Sequence, residues 1–321
     1  MKEFVIQKND SNQRVDKFLG KAVKGLPKSL MYKYIRLKRI KVNGKRCEIS
    51  TILQEGDRLS LYINDEFFSS PINPEASFLQ APTALQIVYE DENILLIDKP
   101  PGLVVHEDNR QLADSLINRI KHYLYEKGEY CPAGELSFAP ALCNRIDRNT
   151  GGIVIAAKNA ESLRIINEKI KQREIQKYYL CLTEGTVIPR SAELHCYLKK
   201  DASSNKVSVS ERYLEGYKEI VTLYRVISSD GKHSLAEVEL KTGRTHQIRA
   251  QMAYIGFPLV GDVKYGAKEK SKYHALYSYK VKFDFKSDGG ILNYLQGRTF
   301  EAKDVWFAKE IRTEGKGLSD R

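Results

Sequence analysis

Two runs carry the residues whose types and spacing could do chemistry: Leu142–Lys158, LCNRIDRNTGGIVIAAK, and Lys241–Tyr265, KTGRTHQIRAQMAYIGFPLVGDVKY. In the first, Arg145 and Asp147 stand two residues apart ahead of a glycine pair and an apolar run. Residues two apart in an extended chain project to the same face, so both side chains are expected to enter one site. In the second, Arg244, His246 and Arg249 fall within six residues. One carboxylate beside strongly basic groups suits chemistry on an anionic polymer.

Taken locally, neither run decides. DRNTGG is made of ordinary turn formers, so a plain hairpin connection is at least as good a reading as a nucleophilic or acid/base Asp147. In the sharper reading, Gly151 and Gly152 let a backbone approach closely. The basic cluster at 243–249 reads equally well as a solvated face, and His246 as a satisfied core histidine.

The elements that must position these residues fall into two groups. Residues 13–26 have Val15, Phe18, Leu19 and Ala22 at helical spacing, and Pro27 interrupts the pattern. Ser29 is expected to cap a second helix with Met31, Tyr34 and Ile35 inward and Lys33 and Arg36 outward. A strand at Ile40–Val42, an Asn43–Gly44 hairpin turn, Lys45–Arg46 and a returning strand at Arg58–Ile63 complete a small basic module. The stretch 64–83 is acidic, holds three prolines and shows no sustained period, which reads as a linker.

Beyond it strands dominate, expected at Ile87–Tyr89, Ile94–Asp98, Gly152–Ala157, Tyr179–Thr183, Val207–Val209, Ile220–Ile227 and Ser234–Lys241. Helices are expected over Gln111–Lys127, from an Asn159 cap along Ala160, Leu163, Ile166 and Ile170, and around His246–Ile255. The division is therefore 1–63, 64–83 and 84–321: a basic α+β module, a linker and a sheet-rich α+β domain. The last dozen residues are polar and expected to fray.

The charge is uneven. The chain of 321 residues carries a net +11, and residues 1–63 hold 15 Lys+Arg against 6 Asp+Glu, so +9 lies in the first fifth. That favours RNA or DNA as partner. Five scattered cysteines without a C-x-x-C pair suggest neither a disulfide framework nor a zinc site. No apolar run approaches a membrane span and the start lacks a secretory core, so a reduced cytoplasm is the expected compartment. No heptad pattern calls for a dimer, and a monomer is expected.

The whole set, in order, is more specific than any part. Residues 85–106 (LQIVYEDENILLIDKPPGLVVH), NRIDRNTGGIVIAAK, Lys177–Glu184 (KYYLCLTE) and TGRTHQIRAQMAYIGFPLVGDVKYG resemble the motifs of the RluA-type pseudouridine synthases. RVDKFL, VNGK and EGD within 13–63 resemble the RNA-binding domain first described in ribosomal protein S-four. The resemblance implies a mixed, largely antiparallel sheet with flanking helices, and isomerisation of uridine to pseudouridine in structured RNA, most closely large-subunit ribosomal RNA, with transfer RNA as the alternative substrate. By that resemblance Asp147 is the catalytic carboxylate, acting as nucleophile or base. Arg145 enters the stack that the target base vacates. Tyr179 offers a ring to the uracil, and Arg249 pairs with the carboxylate.

RNA contacts are expected from Arg14, Lys17, Lys28, Lys33, Arg36, Lys38, Arg39, Lys45, Arg46 and Arg244. Lys99–Gly102 is read as a fold-shaping turn, His246 and His274 as structural, and Cys143 as a small buried thiol. No cofactor is expected, because leaving group and product are one base held in one pocket. No second carboxylate is visible beside Asp147, as a simple glycosidase would need.

One departure stands out: Asn144 occupies the place where the family usually has His. Activity is expected to survive, since the implied chemistry uses Asp147 and Arg145. The rival readings are a non-catalytic RNA-binding or ribosome-assembly factor, which Asn144 favours, and a DNA-binding protein, which rests on charge alone.

Overall fold

The computed structural model describes residues 1–68, 74–106, 114–201 and 206–309. The expected start of the helix at Gln111 and the expected fraying of the last dozen residues fall outside them. The N-terminal part contains β1 (Lys2–Val5), β2 (Gln13–Arg14), α1 (Val15–Ala22), α2 (Lys28–Arg36), β3 (Ile40–Val42), β4 (Lys45–Arg46), β5 (Ile52–Leu53) and β6 (Arg58–Leu61). Its four-stranded sheet runs β1-β6-β3-β4, and β2 pairs with β5. Phe18 and Leu19 of α1 and Met31 and Ile35 of α2 bury against Ile40, Leu59 and Leu61 of the sheet. The Asn43–Gly44 turn has φ of 50° and 74°, the doubly positive geometry that joins β3 tightly to β4. The cap expected at Ser29 is not formed. α2 opens one residue after Pro27, whose carbonyl accepts from Met31 N at 2.9 Å, and Ser29 lies inside the first turn.

The remaining strands are β7 (Ile87–Glu90), β8 (Ile94–Lys99), β9 (Ala141–Leu142), β10 (Gly151–Ala157), β11 (Ile175–Glu184), β12 (Ser191–Lys200), β13 (Val207–Ser210), β14 (Lys218–Ser229), β15 (His233–Leu240), β16 (Leu276–Phe283) and β17 (Thr299–Glu301). They form one sheet in the order β13-β12-β14-β15-β11-β16-β10-β8-β7, with β9 on β10 and β17 on β16. Its pairings are antiparallel except β10 with β16. Helices α3 (Leu116–Glu126) and α5 (Gln247–Tyr254) cover one face through Leu116, Ile120, Ile248 and Met252. Helix α4 (Ala160–Lys171) covers the other through Ile166, and its Asn159 side chain accepts from Ser162 N at 2.8 Å as an N-cap.

The glycine pair at the start of β10 serves this sheet. Gly152 has φ of 113°, and a Cβ there would come within 2.3 Å of the Ser278 carbonyl oxygen. The backbone that approaches so closely is that of β16, not a ligand. The stretch 64–83 has short helical turns at Asp65–Phe68 and Pro74–Gln80. Phe67 and Phe68 pack on the N-terminal core, while Phe78, only 4 % exposed, packs on α3 and Tyr130.

Candidate active site

Asp147 lies in an extended stretch between β9 and β10. Its neighbour Ile146 is buried in the core beneath, so Arg145 and Asp147 both turn outward as their spacing requires. Their exposure differs. Arg145 is exposed and makes no hydrogen bond or ion pair among the described residues, whereas the Asp147 side chain is 27 % exposed. A turn fixes the carboxylate from behind: Thr150 N donates to the Asp147 carbonyl at 3.1 Å, and Thr150 Oγ1 lies 2.8 Å from His274 Nε2.

Arg249 comes to Asp147 from α5. Its Nη1 donates to Asp147 Oδ2 at 2.8 Å, while Nε and Nη2 donate to the two oxygens of Asp262 at 2.7 and 2.9 Å. Burial opposes the guanidinium's charge, but Asp262 and Asp147 outweigh it and hold Arg249 above its ordinary range. Asp262, 2 % exposed, is a second carboxylate that the sequence reading missed. It faces the far side of Arg249, so the two acids share one cation rather than flanking a common cleft. Tyr265, also missed, places its ring 5.2 Å from the Arg249 guanidinium carbon.

His246 was expected to be merely structural, yet it stands at the site. It begins α5 with a left-handed φ of 54°, which turns its ring toward Asp147. Nδ1 lies 2.8 Å from the Tyr265 hydroxyl and Nε2 3.7 Å from Asp147 Oδ2. Burial pushes its pKa down to about 4, so the ring is neutral near pH 7. The signal that could have revealed Asp262 and Tyr265 is the acid and aromatic pair in VGDVKYG, three residues apart.

Tyr179 sits on β11 where the pairing with β16 shifts register between Tyr178 and Leu180. It is 6 % exposed and joins the core cluster that contains Ile146. Burial pushes its hydroxyl up to about 12, with Ser278 opposing and the nearby Asp147 charge adding. The structure thus gathers Asp147, Arg249 and Tyr179 and leaves Arg145 at the rim.

Lys99 is fully buried, and its ammonium donates to the carbonyls of Pro100, Leu103 and Arg148 at 2.9–3.0 Å. Burial pushes its pKa down to about 7, against the pull of Asp147 and Asp98. All three of its donors are used to tie the KPPG turn to the residue after Asp147. Cys143 packs toward the opposite face of the sheet, and burial pushes its thiol up to about 12, well away from a reactive thiolate. Asn144 is buried with Oδ1 accepting from Ile155 N at 2.8 Å, and its Nδ2 has no partner among the described residues.

The ten residues expected to meet RNA are all exposed. Arg14 is already engaged, holding Asp16 through two 3.0 Å hydrogen bonds at the start of α1.

A basic module joined to a domain that holds a partly exposed carboxylate oriented by an arginine suits work on an anionic polymer. Comparison with known proteins gives the class. The family described as RNA pseudouridylate synthase matches residues 93–254, and the S4 domain matches residues 13–59. The chain is 31 % identical to an uncharacterized RNA pseudouridine synthase of Mycoplasma capricolum subsp. capricolum, over 96 % of this chain and all of that one. It is 29 % identical to ribosomal large subunit pseudouridine synthase C of Rickettsia felis, over 88 % of this chain and 92 % of that one. Human RNA pseudouridylate synthase domain containing 1 shares the fold, with a TM-score of 0.54 at 18 % identity over 69 % of this chain and 84 % of that one.

The chain belongs to the RNA pseudouridylate synthase family, in its RluA-type form with an N-terminal S4 domain. It is an isomerase that acts on RNA.

Proposed function

We propose that the protein converts specific uridines of large-subunit ribosomal RNA to pseudouridine, with Asp147 as the catalytic carboxylate. The C1′–N1 bond of the nucleoside breaks and a C1′–C5 bond forms. The proton on C5 leaves and N1 takes one up, so atoms balance without a cofactor. The observation that carries this reading is the Arg249 bridge between Asp147 and Asp262, which orients the Asp147 carboxylate where it is partly exposed. Arg145, exposed beside it, fills the gap left when the target nucleotide swings out. Tyr179 forms the apolar wall against which the base rests.

The ribosomal target is supported by the names of relatives such as the Rickettsia felis protein. Residues 1–63 serve as the RNA-binding module through Lys17, Lys28, Lys33, Arg36, Lys38, Arg39, Lys45 and Arg46. Residues 64–83 connect it to the catalytic part at 84–321, where Arg244 adds a phosphate contact. The protein works as a monomer in the cytoplasm; among the described residues no helix is long and apolar enough to cross a membrane. Asn144, the main argument for a non-catalytic role, carries a backbone hydrogen bond of β10, and this task needs no ionisable group.

The test is a pseudouridine map of cellular RNA from strains with the wild-type protein, Asp147→Ala or a deletion. Loss of the same ribosomal sites in both altered strains is expected. An unchanged map with a ribosome-assembly defect would instead make this a binding factor.

A further inference from the structure

The N-terminal module does not hang from the catalytic part by its connecting segment alone. The stretch Gln7–Gln13, between β1 and α1, is seated in the loop 134–137 and against the start of α4. Asp10 is fully buried there, and its Oδ1 accepts from both N and Oγ of Ser137, at 3.0 and 2.6 Å. Gln13 Nε2 donates to the same Ser137 Oγ at 2.7 Å. Asn9 spans the seam twice: its Nδ2 donates to Glu135 at 2.9 Å, and its Oδ1 accepts from Ala160 N at 3.2 Å. Ala160 is the first residue of α4, so the module supplies a second N-terminal partner to a helix that Asn159 already caps. Leu136 packs onto the module's own core, and Arg164 of α4 donates to the Ser11 carbonyl at 3.2 Å.

A fully buried carboxylate is tolerated only where donors replace its water, and two of its three donors here, Ser137 N and Oγ against Gln7 N, belong to the other unit. Separation would strand Asp10, Ser137 and the Ala160 N–H together. The seam also continues the module's positive charge: Lys17, Lys21 and Arg164 lie close enough to act on one another.

We infer that this clasp makes the module a fixed ruler for site selection, with Asp10 and Ser137 as positioning residues. The inference rests on the proposed reading that the substrate is structured RNA. The clasp meets the catalytic part beyond Ala157, the far end of β10, whereas Asp147 lies just before its start at Gly151. Seven strand residues separate these ends by about 20 Å. RNA held on the module therefore presents to Asp147 only a uridine at a set distance and direction. A flexible tether would offer every uridine within its reach.

The experiment compares wild type, an Asp10→Ala/Ser137→Ala variant and the milder Asn9→Ala/Gln13→Ala variant, which guards against misfolding of the first. Small-angle scattering reads the seam without any RNA. Pseudouridine mapping on large-subunit RNA reads the choice of site. Turnover of a short stem-loop that reaches only the cleft reads the chemistry. Both variants are expected to lengthen the maximum dimension and keep stem-loop turnover. The ratio of target to other modified uridines should drop at least about tenfold, the size expected when a rigid link becomes a tether. Unchanged scattering in both variants means that no clasp holds the units. Longer dimensions with an unchanged site ratio mean that the clasp only stabilises; either result overturns the inference. Failure of all three proteins to modify RNA would instead strike the proposed activity and leave the scattering result standing.

Discussion

Arg249→Lys separates charge from geometry at the centre of the site. Arginine reaches two carboxylates at once, with Nη1 on Asp147 and the Nε/Nη2 fork on Asp262. Lysine keeps the charge but has no planar fork, and it cannot meet both oxygens of Asp262 while also holding Asp147. Asp262 is 2 % exposed, so water does not replace a lost donor. Each hydrogen bond to a charged group is worth about 1.5–3 kcal/mol. Breaking a buried pair costs about 3–5 kcal/mol, and the retained charge sets the expectation at the lower end, about 3 kcal/mol. For a folding unit of this size that lowers Tm by roughly 6–12 °C. Asp147 loses its orientation, and a misplacement on the order of 1 Å lowers kcat about 100-fold. RNA affinity should barely change, because Arg249 is buried and its donors already point at protein carboxylates. The assay is release of tritium from RNA carrying 5-tritiated uridine, followed at saturating RNA, alongside thermal unfolding and a fluorescence-anisotropy titration. A lysine variant with kcat within about threefold of wild type would refute the reasoning that the bridge orients the carboxylate. Loss of affinity at normal kcat would make Arg249 a phosphate contact instead.

Other changes probe the surrounding scaffold. His246 and His274 are both pushed down to about 4 by burial, so the unfolded chain binds more protons than the folded one between pH 4 and 6.5. The urea midpoint should therefore fall as pH drops through that window, and less steeply in His274→Asn; an equal slope in both proteins would contradict this. Because the folded His246 stays neutral, catalysis should show no inflection near pH 6.5 that disappears in His246→Gln. Gly152→Ala puts a Cβ against the Ser278 carbonyl and should destabilise by more than about 3 kcal/mol or leave the protein insoluble, read by denaturant unfolding. Asn144→Ala removes the acceptor for Ile155 N and should cost about 1–3 kcal/mol with kcat retained; a large fall in kcat would give Asn144 a chemical role. Deleting residues 1–63 should weaken RNA binding and flatten its salt dependence more than it slows the chemical step on a short substrate. Equal salt slopes with and without the module would count against that division.

What was legible in the sequence depended on local signals. Asn43–Gly44, the Asn159 cap and the apolar run of β10 each announce their structure within a few residues, and all three form. β1, β12 and β16 were missed for different reasons. Lys2–Val5 is too short to stand out and is made a strand by pairing with β6, more than fifty residues later. Ser191–Lys200 does alternate, with Ala192, Leu194, Cys196 and Leu198 on the less exposed side, and that period-two signal was passed over. In Leu276–Phe283 lysines and tyrosines interrupt the apolar pattern, and Lys280 is satisfied by Glu237 of β15, two strands away across β11. Asp147 and Arg249 were singled out through ordered motifs, and the structure pairs them. Asp262 and Asp10 were not, because a buried carboxylate and a surface one look alike until their partners, 13 and 127 residues away, are brought to them.

The charge arrangement explains why an enzyme for an anionic polymer places its least screened acids at its centre. Asp147 and Asp262 share the guanidinium of Arg249, and the charges of Lys99 and Lys264 also act on Asp147. Further cations are exposed around it, Arg145, Arg148 and Arg244, and the module holds most of the net charge. Under the proposed function, a ribose–phosphate chain is held by these exposed cations while a neutral base enters beside the carboxylate. With the two kinds of contact separated in space, salt should weaken RNA binding without altering the orientation of Asp147, since the Arg249 bridge is buried and screened little by ions.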